Sequence, residues 1–247
     1  MPPALHPGVR PRPIHPRAFS TATTHDPLAS PAGRRLPLAL AGAYAIVWGV
    51  TAVGPASRET WWLENLLPLS LVALLAGMYR RWHLSDVSCC CVALLLALHA
   101  VGAHYGYDAV PAGEWLREVF RGVGWGRRNP YDRVVHLAFG LLLAYPLREV
   151  LRHQLRRPAL ASPGAVAAVL ALSGAYEVLE WAAARLAAPE TAARFVGAQG
   201  DVWDAQQDVA LAWGGSVVSV AAAALAHRAR RARAHAGAGR AAPRAAA

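Results

Sequence analysis

The chain of 247 residues is 55% hydrophobic and only 16% charged, against ~25% charged residues in a typical soluble domain, which argues against a soluble globular protein. Its 25 basic and 15 acidic residues give a net charge of +10, every basic residue is Arg, and the sequence contains no Lys. A basic balance of this size can mark nucleic-acid binding, but here it sits in tails and short loops between apolar blocks that no such module needs, so nucleic acid is not an expected partner.

Residues 1–35 are rich in Arg, Pro and His and read as a disordered basic tail. Six apolar blocks follow, several close to the ~20 residues that cross a bilayer core. The first runs from Leu36 to Val53 without a charge and reads as a signal-anchor span; the long polar stretch before it argues against a cleaved signal peptide. The second, Trp61 to Tyr79, is bounded by aromatic residues, as interfacial belts are; Glu64 and Asn65 near its start are expected simply to reach the interface. The third, Val87 to Tyr105, contains Cys89, Cys90 and Cys91, which are consecutive and so fit neither a spaced disulfide framework nor a CxxC metal site. They read as small packing residues. Val110 to Phe120 places apolar residues among Glu114, Arg117 and Glu118, the pattern of a short amphipathic helix on the membrane surface. Gly122, Gly124 and Gly126 follow in a loop; no strand precedes them, so they are not a phosphate-binding loop. The fourth block is Val134 to Leu151, the fifth Pro163 to Leu186 and the sixth Asp204 to Ala226. Residues 227–247 read as a second disordered basic tail. The expected architecture is an all-α bundle of six transmembrane helices over residues 36–226, in one domain.

If six spans alternate, 17 of the 25 arginines fall on one side with both tails, while 12 of the 15 acids fall on the other. The positive-inside rule places the termini in the cytoplasm. This topology brings four segments that are distant in sequence to one outer depth: His99, His104 and Tyr105 at the end of the third span, Asp132 and His136 at the mouth of the fourth, Glu177 and Glu180 in the fifth, and Asp201, Asp204, Gln206 and Asp208 at the start of the sixth. Asp132 and His136 are four residues apart, Glu177 and Glu180 three, and Asp204 and Asp208 four, so each pair shares a helix face. An ionised residue at mid-membrane costs about 2.5–3.5 kcal/mol on insertion scales; these groups must therefore face one another, water or a cation.

Three chemistries fit such a cluster. Carboxylates and imidazoles together ligate zinc, manganese or iron, and carboxylates alone suit magnesium or calcium. The same residue types form proton or cation paths. They also tie helices together by hydrogen bonds. The inner halves of the spans are nearly all apolar, which favours a one-sided pocket over a conduit.

The residues of this cluster also resemble the YjdF-type inner-membrane protein family, a domain of unknown function. The matching pieces are His104-Tyr105-Gly106-Tyr107 followed by Val110-Pro111, Asn129-Pro130-Tyr131-Asp132-Arg133 with His136, Tyr176-Glu177 with Glu180-Trp181, and Gln199-Gly200-Asp201-Val202-Trp203-Asp204-Ala205-Gln206 with Asp208. The resemblance covers roughly residues 40 to 225. Pro130 stands where a His is expected and Val209 where a Met is expected, which argues against a ligand at 130. A fainter similarity is to VanZ-like membrane proteins, through Asp132 and His136, a later Glu and an Asp-rich start to the last span. The family implies a multi-pass inner-membrane protein and assigns no reaction.

The expected site is a divalent-metal pocket open to the extracytoplasmic side, with ligands drawn from His104, Asp132, His136, Glu180, Asp201 and Asp208 and with Glu177 as general base for a metal-bound water. His99, Tyr105, Tyr131, Trp181, Gln199, Trp203, Asp204 and Gln206 are expected to line it. A lipid or envelope molecule is the expected substrate, handled by hydrolysis or transfer, and the lipid bilayer is the surrounding partner. The alternatives are a proton- or cation-coupled transporter and a non-catalytic scaffold or immunity-type protein.

Overall fold

The computed structural model describes residues 35–78, 84–123, 128–196 and 199–241. The expected N-terminal tail other than Arg35, the Arg80–Arg81 pair, Gly124, Gly126 and residues 242–247 lie outside them. Eight helices follow in order: α1 (Arg35–Thr51), α2 (Arg58–Met78), α3 (Asp86–Tyr105), α4 (Gly113–Val119), α5 (Tyr131–Gln154), α6 (Ala161–Leu186), α7 (Pro189–Val196) and α8 (Asp204–Ala241), with 3-10 turns at Arg121–Val123 and Pro158–Leu160. The described residues contain no strand.

Five of these helices are long and apolar enough to cross a membrane; α1 is apolar but shorter. Its 17 residues span about 26 Å at 1.5 Å per residue, against ~30 Å of hydrocarbon. The chain is therefore an all-α polytopic membrane protein with five full-length spans and one shorter apolar helix. Leucines, valines and tryptophans stand exposed along the spans, among them Leu66, Leu94, Val178 and Val218. Helices that are apolar all round belong in lipid rather than in water.

α5 is the central element and packs against α3, α6 and α8. Its contact with α8 is very close because small residues face each other: Gly140 and Ala144 on α5 against Ala212, Gly215 and Ser216 on α8. A Cβ placed on Gly140 would collide with the Ala212 carbonyl oxygen, and one on Gly215 would lie 2.5 Å from the Leu137 carbonyl oxygen. Small-xxx-small spacing lets helix backbones approach where no hydrophobic drive exists between helices. Ala144, Val169 and Ala212 are fully buried at this junction. Farther along the bundle, Tyr44, Val92, Leu96 and Ala100 join α1 to α3, and Val110, Leu116, Tyr131 and Val135 seat α4 on α5.

Helix ends follow local chemistry. The Ser85 hydroxyl caps α3 by accepting from the Ser88 amide, and Glu149, reaching over from α5, accepts the Ser85 amide at 3.0 and 3.1 Å and the hydroxyls of Ser85 and Ser88. A carboxylate at a helix N-terminus is favoured by the helix dipole. Gly106 ends α3 with φ +80°, a backbone that glycine adopts without steric cost.

Two expectations change. The amphipathic segment is helical as expected, but over Gly113–Val119 only, and α7 was not foreseen. α8 does not stop at Ala226; it continues to Ala241, so the disordered C-terminal tail is corrected for 227–241. Ala and Arg dominate that stretch, and both are good helix formers.

Candidate functional site

The α5–α8 approach fixes the site. His136 lies one helical turn before Gly140, and Asp208 one turn before Ala212, so close contact at the glycine brings the two polar residues together. Asp132, His136 and Asp208 offer ligand atoms that all lie within 4.8 Å of one another. His136 Nε2 is 3.6 Å from Asp132 Oδ1 and 3.5 Å from Glu177 Oε1 on α6. Two ligands each ~2.1 Å from a tetrahedral ion stand ~3.4 Å apart, so the Asp132–His136 separation is of the size that two ligands of one ion would have. Asp208 is only 2% exposed, and its Oδ1, Glu177 Oε1 and His136 Nδ1 are buried without a hydrogen-bond partner. Orphaned buried carboxylate oxygens are costly, and Glu177 and Asp208 both lie beside His136.

A second layer of charge covers this cluster. Arg128 is buried and bonds to Asp204, with Asp132 at 3.7 Å and Asp201 at 3.9 Å. Burial opposes the charge of Arg128, but the Asp204 bond and the nearby Asp132 and Asp208 carboxylates hold it above the ordinary arginine range. Arg133, 2% exposed, bonds to Asp201 at 2.5 Å and lies 3.7 Å from Asp204. Asp201 also accepts the Trp203 amide and the Gln207 side chain, each at 2.9 Å; the Trp203 amide first, then Arg133 and Gln207, hold its carboxyl below the usual range.

The family described as "Predicted membrane protein (DUF2238)" matches residues 36–229. The chain belongs to this family. It is 34% identical over 176 residues to Inner membrane protein YjdF of Escherichia coli (strain K12), a match covering 69% of this chain and 80% of that relative. No solved structure matches. The four sequence pieces singled out at the start all lie within the matched residues 36–229, and three of them meet at the cluster: the Asp132 segment opens α5, the Glu177 segment lies in the second half of α6, and the Asp201–Asp208 segment opens α8.

The structure separates the expected site residues into groups. Asp132, His136, Glu177 and Asp208 converge. Glu180 is one turn from Glu177 and lines a neighbouring groove with His99. Asp201 and Asp204 are occupied by the two arginines rather than aimed at the cluster. His104 is not in it: its Nδ1 pairs with the Thr51 carbonyl at 2.9 Å, tying α3 to α1. Tyr131 donates to the Leu98 carbonyl at 2.8 Å. Gln199 clamps Asn129 through two hydrogen bonds, 2.8 and 3.2 Å, from a left-handed backbone at φ +48°, and so holds the start of α8 against the start of α5. Tyr105, Trp181, Trp203 and Gln206 are exposed.

Sequence reasoning missed a polar chain that reaches α2. Glu64 is 3% exposed and Asn65 1%, so the expectation that both simply meet the interface is corrected. Tyr176 donates to Glu64 Oε2 at 2.9 Å, His99 Nε2 meets the Glu64 carbonyl at 2.9 Å, and the Tyr107 hydroxyl lies 2.6 Å from His99 Nδ1. Asn65 accepts from Trp48 Nε1 at 2.6 Å and donates to the Trp61 carbonyl at 2.7 Å. Burial first, then Glu64 and Asp132, push the Tyr107 phenol well above its usual range. Arg128 and Arg133 were counted only as loop charge; their burial could have been suspected from the i, i+4 spacing of Arg128 and Asp132.

Between α2, α3, α5 and α6 runs a groove of about 550 Å³. Leu71, Leu96, Phe139, Leu143 and Leu179 give it apolar walls, and His99, Tyr107, Asp132, His136, Tyr176 and Glu180 make one end polar.

Proposed function

We propose that this protein is an inner-membrane metalloprotein whose divalent cation sits at the Asp132–His136–Asp208 cluster and serves hydrolysis or transfer on a lipid or envelope substrate. The carrying observation is that ligand atoms of Asp132, His136 and Asp208 all lie within 4.8 Å of one another, with Asp208 Oδ1 buried and without a hydrogen-bond partner. One imidazole with carboxylates suits zinc, manganese or iron. A divalent cation held there would supply Lewis acidity that lowers the pKa of a bound water, and Glu177, 3.5 Å from His136, is the group positioned to take a proton. Arg128 and Arg133 balance the outer carboxylates and hold α8 on α5. The Arg-rich tails and loops support cytoplasmic termini and a site toward the extracytoplasmic face. The relative's name as an inner membrane protein supports the location, and the polar lining confined to one end of the groove supports a pocket over a conduit.

Metal analysis of the purified protein after loading with zinc or manganese is the test. About one equivalent is expected in wild type, lost in Asp132→Ala, His136→Ala and Asp208→Ala and kept in His104→Ala. Wild type without stoichiometric metal refutes the reading.

A further inference from the structure

The groove meets the cation cluster at its polar end, where Asp132 and His136 line it, and extends far beyond it. Along α5 its lining runs from Asp132 to Val150, about 27 Å at 1.5 Å per residue, nearly the ~30 Å of a hydrocarbon core. Its volume of about 550 Å³ falls in the ~300–1,000 Å³ range of ligand pockets. The side between α2 and α6 is open, since Leu67 and Leu74 on α2 and Leu172 and Leu179 on α6 are between 44% and 52% exposed. α2 packs on α3 and α7, while α6 packs on α5, α7 and α8; the Tyr176–Glu64 hydrogen bond joins α2 to α6 at the polar end. A molecule in the bilayer can therefore enter sideways.

The polar end has a definite sign. Asp132 and Glu180 line it, Glu64 stands behind Tyr176, and among the described residues no arginine contributes to the lining. An anionic head group would meet carboxyls there. An ionised carboxyl at membrane depth is tolerable when a cation meets it, and an ammonium supplies both the charge and N–H donors. Tyr107, Tyr176 and His99 surround the same end with aromatic faces, which attract cations.

We infer that the groove between α2, α3, α5 and α6 binds a long-chain amphiphile with a cationic ammonium head, its alkyl chain along Leu71 and Phe139 and its head at Glu180. This goes beyond the metal reading. Asp132 and His136 line the groove as well, but Glu180 is not among the three grouped metal ligands, so loss of head binding through Glu180 and loss of metal are distinguishable.

The test uses the full chain in phosphatidylcholine nanodiscs and a dodecylammonium probe carrying a diazirine at mid-chain. Labelling is expected to be saturable, to map by peptide mass spectrometry to α2 near Leu71 and α5 near Phe139, and to be competed by dodecylamine at least about tenfold better than by dodecanoate, since loss of one buried charge partner exceeds that factor. Glu180→Gln weakens it by more than about tenfold, Leu71→Trp blocks the groove and abolishes it, and Val218→Trp on the lipid-facing side leaves it unchanged. Chelating metal leaves it intact, whether or not the cation site exists. Equal competition by dodecanoate, non-saturable labelling, or equal labelling at Val218 and Leu225 overturns the inference. The wild-type competition decides even where a variant fails to fold.

Discussion

Gly215→Ala tests the joint that assembles the site. The added Cβ would lie 2.5 Å from the Leu137 carbonyl oxygen and 2.9 Å from the Leu141 amide nitrogen, where ordinary contact begins at 3.4 Å. Both neighbours are backbone of α5, so no rotamer change relieves the clash, and α8 must move away by close to an ångström. Overpacking of this kind costs about 1–3 kcal/mol. For a domain of 150–250 residues each kcal/mol lowers Tm by roughly 2–4 °C, so a drop of about 2–12 °C is expected. The neighbouring Gly214 has nothing within 4 Å of its Cβ position; Gly214→Ala removes only glycine's helix penalty of ~0.5–1 kcal/mol and should be neutral or slightly stabilising. The assay is thermal unfolding in one detergent, read by tryptophan fluorescence, with metal content measured on the same samples. An ångström at this joint separates Asp208 from His136, so Gly215→Ala should also lose metal before it loses fold. Equal Tm and equal metal content for Gly215→Ala and Gly214→Ala would refute the close-packing argument.

Two further outcomes follow from charges that the helix packing holds in place. Arg128→Leu removes the bonded partner of the buried Asp204 carboxylate and leaves it only Arg133 at 3.7 Å, which should cost up to about 3–5 kcal/mol, seen as a loss of yield and Tm; Arg128→Leu with Asp204→Leu should recover most of it, and failure of that rescue would show that the pair is not coupled. Glu149→Ala removes the acceptor for the Ser85 amide and the hydroxyls of Ser85 and Ser88, and should cost about 1 kcal/mol at the α3 N-terminus, read as faster hydrogen exchange at Ser88 and Cys89 without change in metal content.

The membrane class, the order of the long apolar helices and the end at which acids and histidines gather could all be read from the sequence. Each depends on local quantities: length of apolar runs, charge in the intervening loops, and i, i+3 or i, i+4 spacing. Asp132, His136, Glu177 and Asp208 were legible for that reason. Which polar residues meet was not, because it depends on helix rotation and separation. Gly140 and Gly215 set that separation, and neither glycine carries a local signal that distinguishes it from Gly214. Tertiary structure alone assigned His104 to Thr51, Asp201 and Asp204 to the two arginines, and Glu64 to Tyr176 across 112 residues of chain. Sequence determines that these groups lie at one depth; only packing decides which of them are left without partners, and those partnerless groups define the candidate site.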